Sequence, residues 1–268
     1  FGEVTHLPKE EWLPTANERG NFPDDPYKRD AIDFVLWQAQ KPLEPAWPSP
    51  WGMGRPGWHI ECSTMANIYL SDTIDIHGGG ADLTFPHHEC ETAQARGVTG
   101  KDFFAQFWLH TAMVRYEGEK MSKSLGNLVW ARDLLAEHTP DAVRILINSH
   151  PYHETWEYNE SELAPANEMA ARLLRAANAE GGQGETLDAS NARDAFEQAM
   201  DDNLNTREAI RSLGHLADRV IQAAEQGQDV GAAQEVLREL SRVLGLRLGA
   251  EIEPHVIEIW EEHKKKFA

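Results

Sequence analysis

The chain has 268 residues, 41 % of them hydrophobic, with 25 basic against 44 acidic side chains and a net charge of −19. That length suits one large or two modest domains, and the acidic field disfavours general nucleic-acid binding, so any RNA must meet a local basic patch or a segment outside these residues. No run approaches the ~20 apolar residues of a membrane helix, no basic-then-apolar start resembles a signal peptide, and two cysteines, Cys62 and Cys90, are too few for a disulfide scaffold, which points to a reducing cytoplasm.

Phe1-Gly2-Glu3-Val4, without a Met, reads as the interior of a longer protein. Residues 1 to about 57 are rich in Pro, Trp and Gly, with a turn-dense stretch from Gly20 to Tyr27, and Ala31 to Trp37 reads as a short strand or helical turn. Trp58 to Met65 suggests a loop entering a helix that runs through Tyr69. Thr73 to His77 is a short strand closed by Gly78-Gly79-Gly80, and a helix is expected after Pro86, through Arg96. Phe107 to His110 and Ala112 to Arg115 read as a further buried strand. Strands that end in Gly-rich loops leading into helices indicate a parallel α/β sheet with ligands at the strand carboxyl ends.

Beyond about residue 130 the pattern becomes helical. Leu163, Ala166, Ala170, Leu173, Leu174 and Ala177 share one face at helical spacing, and Gly181-Gly182-Gln183-Gly184 reads as a flexible joint. Asn205 followed by Glu208 is an Asn-capped helix start, continued by Ile210, Leu213, Ala217, Val220, Ile221 and Ala224. Val230, Ala233, Leu237, Leu240 and Leu244 form another stripe, stopped by Gly245. Pro254 opens a last segment with Val256, Ile257, Trp260 and Phe267. Such stripes are core packing, so the C-terminal third is a helical bundle.

Two segments carry chemistry. In Glu119 to Asn127, two lysines flank Met121-Ser122, with glycines at 118 and 126 that allow a loop to close. Ammonium groups on such a loop offset charge developing on a pyrophosphate leaving group, and the serines and backbone add hydrogen bonds. Upstream, Cys62, His87 and Glu91 offer a thiolate, an imidazole and a carboxylate, a donor set for zinc, a borderline-soft cation. His87 and Glu91 are four apart, which on a helix puts both on one face. Spacing alone leaves plain packing open for all three, and His88 and Cys90 beside them read as packing or supporting groups.

Lys120-Met121-Ser122-Lys123-Ser124 resembles the signature of class I aminoacyl-tRNA synthetases. Gly57 to Ser63, Asp75 to Asp82 and Phe85 to Glu91 resemble consecutive blocks of the cysteinyl-tRNA synthetase family, and Asp201 to Thr206 is similar to that family's bundle. The resemblance runs from Asp33 to the bundle. It implies an α/β fold, the C-terminal half of a class I synthetase Rossmann-like catalytic domain followed by an α-helical bundle. The corresponding boundaries are a partial catalytic domain with the zinc site over 1–128, a linker with helices over 129–165, and the bundle over 166–268.

It further implies ATP-dependent activation of L-cysteine to cysteinyl-adenylate and transfer to tRNA(Cys), with ATP entering as its magnesium complex. Lys120 and Lys123 are then the catalytic lysines. Met121, Ser122, Ser124, His77, Gly78, Gly79, Gly80 and Asp82 bind ATP or adenylate, and Trp58 walls the substrate pocket. Cys62, His87 and Glu91 hold zinc with a fourth, upstream cysteine ligand that this sequence lacks. Zinc would select a thiolate over the near-isosteric serine hydroxyl, a distinction that hydrophobic pockets make poorly. The His-Ile-Gly-His motif of the class is also absent, so the expectation is a fragment, inactive alone, whose partner is the missing N-terminal half of the catalytic domain. A close relative of the family, the mycothiol-pathway ligase, passes cysteine to glucosaminyl-inositol; it resembles the span from Phe1 to Trp37, but its pattern has Gln at the place of His77 and no carboxylate at that of Glu91. A non-catalytic paralogue would be expected to have lost the lysines or ligands that are present here.

Overall fold

The computed structural model of the protein describes residues 1–122 and 125–249. Two compact units divide the chain, Phe1–Met113 and Val114–Ala268, each with its own core.

In the first unit, α1 (Lys9–Glu18) leads through a turn-rich stretch to β1 (Trp37–Ala39), which pairs antiparallel with β2 (Gly54–Pro56). Then come α2 (Trp58–Tyr69), β3 (Ile74–Gly80), a 3-10 turn at Ala81–Leu83, a π-helical turn at Thr84–His88, α3 (Glu89–Thr99) and β4 (Ala105–Thr111). β3 and β4 run parallel, with His77 opposite Trp108 and Gly79 opposite His110. Parallel strands need a crossover of a dozen or more residues, and α3 supplies it. Gly100 ends α3 in the left-handed conformation at φ +67°. Ile74, Ala95, Phe104 and Ala105 form the small core, with Ala66 and Trp108 packed against it. Further along the strands, Ile76 and Phe107 sit opposite each other and are 66 % and 68 % exposed.

Four expectations are corrected here. Trp58 to Met65 is helix from its first residue, because Gly57 bonds its N–H to Leu36 O and α2 starts directly after it. Gly78-Gly79-Gly80 are strand residues, paired with Leu109, His110 and Thr111, rather than a closing loop. Of Ala31 to Trp37, only Trp37 enters a strand; the rest is turn and coil, in which the Asp33 carboxylate accepts from the N–H groups of Arg29 and Asp30. Ala112 to Arg115 is separate from the strand before it: β4 ends at Thr111, and its Phe107 is exposed rather than buried.

The second unit opens with β5 (Val114–Tyr116) and β6 (Glu119–Lys120), an antiparallel pair turned through Glu117 and Gly118, both at positive φ. β7 (Trp156–Glu157) adds parallel to β5. The helices are α4 (Ala131–Glu137), α5 (Pro140–Asn148), α6 (Leu163–Ala177), α7 (Ser190–Asp201), α8 (Thr206–Glu225) and α9 (Gly231–Val243). Thr139 caps α5 by accepting from Ala142 N, with Pro140 at its first position, and Asn205 caps α8 by accepting from Glu208 N as expected. The apolar stripes meet in one core in which Leu173, Leu213, Leu216, Ala217, Val220 and Leu237 are fully buried. Gly181 to Gly184 is no loose joint. Gly182 N and Gly184 N bond to Gln228 O and Gly227 O, and a Cβ on Gly182 would fall 2.1 Å from Gly227 O. The segment expected from Pro254 onward lies outside the described residues.

Candidate metal centre and nucleotide loop

Three elements of the first unit converge on one buried carboxylate. α2 brings Cys62, the π-helical turn brings His87, and α3 brings Glu91, and one ligand atom from each lies within 4.8 Å of the others. Glu91 is fully buried. Its Oε2 stands 3.1 Å from His77 Nε2, 3.6 Å from His87 Nε2 and 3.9 Å from His88 Nε2, while Oε1 has no hydrogen-bond partner among the described residues. A buried carboxylate with an idle oxygen is costly unless a cation meets it. Imidazoles, a thiol and this carboxylate are the donors a borderline divalent ion takes, so the residues present fit zinc.

The surroundings prepare these ligands. His59 Nδ1 lies 2.8 Å from His87 Nδ1, one donating and the other accepting, which leaves Nε2 of His87 on the Glu91 side. Trp58 stacks on His87 with ring centres 4.2 Å apart, and its own ring is half exposed. The next turn of α2 is tied to α3 by Ser63 Oγ donating to Gln94 Oε1 at 2.7 Å. Behind the group, His88 Nδ1 pairs with His110 Nε2 at 2.7 Å. Gly79 leaves room for that ring, since a Cβ there would stand 3.0 Å from His88 Cε1.

Burial pushes His88 down to about 3, helped by the neighbouring His77, His110 and His87, and burial with His87 pushes His59 down to about 4. His87 is also lowered by burial, against the opposing pull of Glu91. Each of these shifts favours the neutral imidazole, the form that can bind a metal. Burial raises the Cys62 thiol, with Glu91 and Glu61 adding to it, and raises the deeper Cys90 thiol further. Cys90 belongs to neither metal-competent group and packs in the core of α3.

Glu89, two residues before Glu91, anchors the start of the chain. Its Oε2 accepts from Gly2 N at 2.8 Å, and Oε1 accepts from Val4 N and Thr5 N at 2.6 and 2.7 Å. Phe1, Trp12 and Phe85 pack ring on ring beside it, and Arg19 donates to Phe85 O.

The residues expected to form a nucleotide loop lie in the second unit. Lys120 ends β6 and is exposed; Met121 and Ser122 follow, half-buried. Asn127 stitches the loop, accepting from Ser122 N at 2.9 Å and donating to Lys120 O, and Gly126 takes φ +68°. Lys123 and Ser124 lie outside the described residues.

Of the expected site residues, the structure gathers Cys62, His87, Glu91 and Trp58. It adds His77, expected beside the adenylate, as a direct partner of Glu91. Gly78, Gly79 and Gly80 form the end of β3, and Asp82 sits in the 3-10 turn, where a Cβ on Gly80 would approach its Oδ1 to 2.5 Å. His88, read as a packing or supporting group, is buried and pairs with His110. His59, His110, Gln94, Glu89 and Asn127 received no role from the sequence, and the clustering of histidines between 77 and 110 was the available signal for His110.

The family model described as tRNA synthetases class I (C) catalytic domain matches residues 5–168, and that of the DALR domain matches residues 195–249. The cysteine--tRNA ligase of Symbiobacterium thermophilum is 40 % identical over 291 residues, covering 99 % of this chain and 61 % of the relative. That of Halorhodospira halophila is 48 % identical over 224 residues, covering 83 % and 48 %. The chain thus spans about half the length of these curated relatives. Among solved structures, the LeuRS of Agrobacterium radiobacter K84, in ternary complex with tRNA and LeuAMS, matches with a TM-score of 0.54 at 15 % identity over 74 % of this chain and 32 % of that one, a likeness of fold.

Proposed function

We propose that this chain, which belongs to the class I (C) tRNA synthetase family and carries that catalytic fold followed by a DALR helical domain, is the cysteine-recognising part of a cysteine--tRNA ligase. The whole enzyme would join L-cysteine to ATP as cysteinyl-adenylate and pass the acyl group to tRNA(Cys). The observation that carries this reading is the convergence of Cys62, His87 and Glu91, with the partnerless Glu91 Oε1, in the unit that also holds the half-exposed Trp58.

Cys62, His87 and Glu91 would hold zinc, which when bound offers the substrate a soft acceptor that favours thiolate over hydroxyl. The chain's own residues do the rest. His59 orients His87, Glu91 supplies the balancing charge, and Trp58, stacked on His87, walls the pocket against water. Lys120 and Lys123 would offset charge on the departing pyrophosphate, with Asn127 holding Ser122 and Lys120 in the loop. His77, Gly78 to Gly80 and Asp82, at the carboxyl end of β3, would line the adenylate side, where ligands gather in such sheets.

The exposed Ile76 and Phe107 on the short parallel sheet support a partner that supplies the remaining strands, as does coverage of about half of the relatives' length. Residues 1–268 alone would then not form adenylate. The test is cysteine-dependent exchange between ATP and pyrophosphate, by this chain alone and when joined to the first half of a relative. Exchange only in the joined protein, lost with Cys62→Ser and reduced on the order of 10²–10³-fold with Lys120→Ala, is the expected result. Equal use of serine, or exchange by the chain alone, overturns the reading. Offering tRNA and glucosaminyl-inositol separately as acceptors then decides the second step.

A further inference from the structure

We propose that Glu89 is a positioning residue of the metal centre: it holds residues 2–5 as a strap on the outer side of the turn whose inner side carries His87 and Glu91, and so couples docking of the strap to binding of the ion. This role rests on the zinc reading of Cys62, His87 and Glu91, and adds to it a residue that touches no ion. The run from Phe85 to Glu91 faces two ways. Phe85 and Glu89, four apart, meet residues 1–19, while His87 and Glu91, also four apart, meet Cys62. Glu89 and Glu91 both lie in the first turn of α3, where two positions are about 200° around the helix, so their side chains leave it on opposite sides.

The two buried carboxylates differ in how they are satisfied. Glu89 has both oxygens filled by backbone donors, Gly2 N on Oε2 at 2.8 Å, and Val4 N and Thr5 N on Oε1 at 2.6 and 2.7 Å. Glu91 keeps Oε1 without a hydrogen-bond partner among the described residues. Three N–H groups on one buried carboxylate offset its desolvation and fix its place. The strap is itself braced. Gly2 takes φ +90° against Trp12, whose Cζ2 lies 2.3 Å from where a Cβ would stand. Phe1 and Trp12 pack on Phe85 with ring centres 5.8 and 6.1 Å away, and Arg19, just past α1, donates to Phe85 O.

α3 has no side-chain cap at its start, so its first turn is not fixed by capping of its own. The bonds from the strap to Glu89 set where that turn sits, and with it the oxygens of Glu91. Metal–ligand distances tolerate only about 0.2 Å, so a shift that apolar packing would absorb is enough to weaken the hold on an ion. Coupling between two sites is reciprocal: the factor that strap docking adds to metal affinity is the factor that the ion adds to strap docking.

Cobalt(II) titration of the 268-residue chain reads the centre, because a cysteine-ligated cobalt ion shows a thiolate-to-metal charge-transfer band, and amide exchange at Val4 and Thr5 reads the strap. Saturating cobalt should slow that exchange about tenfold or more in the wild type, a measurement that needs no variant. Glu89→Gln should bind cobalt about 10–100-fold more weakly and, at saturation, show shifted ligand-field bands. Gly2→Ala pushes the strap against Trp12 while leaving Glu89 and every ligand in place, and should weaken binding about fivefold or more. Ile74→Val thins the small core of the same unit, and Glu3→Gln removes only the surface pair with Arg96. Both should keep wild-type bands and bind cobalt within about twofold of wild type. Circular dichroism identifies a variant that fails to fold. Cobalt affinity in Glu89→Gln within about threefold of wild type, equal weakening in Ile74→Val, or exchange that cobalt does not slow would overturn the proposal. A wild-type chain that binds no cobalt with the charge-transfer band would instead refute the zinc reading, and this role of Glu89 with it.

Discussion

Glu89→Gln isolates how the first unit holds the start of its chain. Both oxygens of Glu89 are in use, Oε2 on Gly2 N at 2.8 Å and Oε1 on Val4 N and Thr5 N at 2.6 and 2.7 Å, with the residue 1 % exposed. Glutamine keeps one acceptor oxygen and turns the other into an NH2 group facing N–H donors. A hydrogen bond to a charged group contributes about 1.5–3 kcal/mol, and an unpaired buried donor adds a desolvation cost. Losing the equivalent of one to two such bonds gives about 3–4 kcal/mol for opening the segment, which is about 10²–10³-fold in its equilibrium. Phe1 and Trp12 still pack on Phe85, so the opening is local. Native-state amide exchange at Val4 and Thr5 reads it directly. Glu3→Gln is the control in the same segment: its pair with Arg96, at 2.7 Å, leaves Glu3 66 % exposed, and such surface pairs contribute under about 1 kcal/mol. Exchange in Glu89→Gln within threefold of wild type, or an equal rise in Glu3→Gln, would refute the reasoning.

Three further outcomes are expected. Asn205→Ala removes the α8 cap to Glu208 N and should lower the stability of the helical unit by about 1 kcal/mol, read by urea unfolding followed by circular dichroism. Leu213→Ala empties a fully buried position where α8 meets the core and should cost about 2–5 kcal/mol in the same assay. Gly79→Ala places a methyl 3.0 and 3.1 Å from His88 Cε1 and Nε2 and 3.1 Å from Leu83, so the first unit should lose about 1–3 kcal/mol, with shifted His88 and His110 ring resonances and the helical-unit resonances unmoved.

Much of the second unit was legible because its information is local. The stripe from Leu163 to Ala177 falls on α6 residue for residue, and Asn205 capped the helix as its spacing with Glu208 indicated. α5 was anticipated only as part of a linker with helices and α7 not at all; both are defined by what they pack against. Gly181 to Gly184 was read as loose because three glycines carry no side-chain signal. Its order comes from Gly227 and Gln228, more than forty positions away, where only glycine leaves the needed space. The glycines at 78 to 80 looked like a loop for the same reason and are strand because β4 pairs with them.

At the candidate centre, donor chemistry and the i, i+4 spacing of His87 and Glu91 pointed from the sequence alone to a metal-competent set, since residue type decides which ions can be bound and helical periodicity decides which side chains share a face. The tertiary fold alone decided that His77 joins Glu91, that His59 and His110 pair with His87 and His88, and that Glu89 holds Gly2, Val4 and Thr5. Those contacts span 14 to 87 positions, and no local preference of the chain encodes which distant backbone will arrive beside a given side chain.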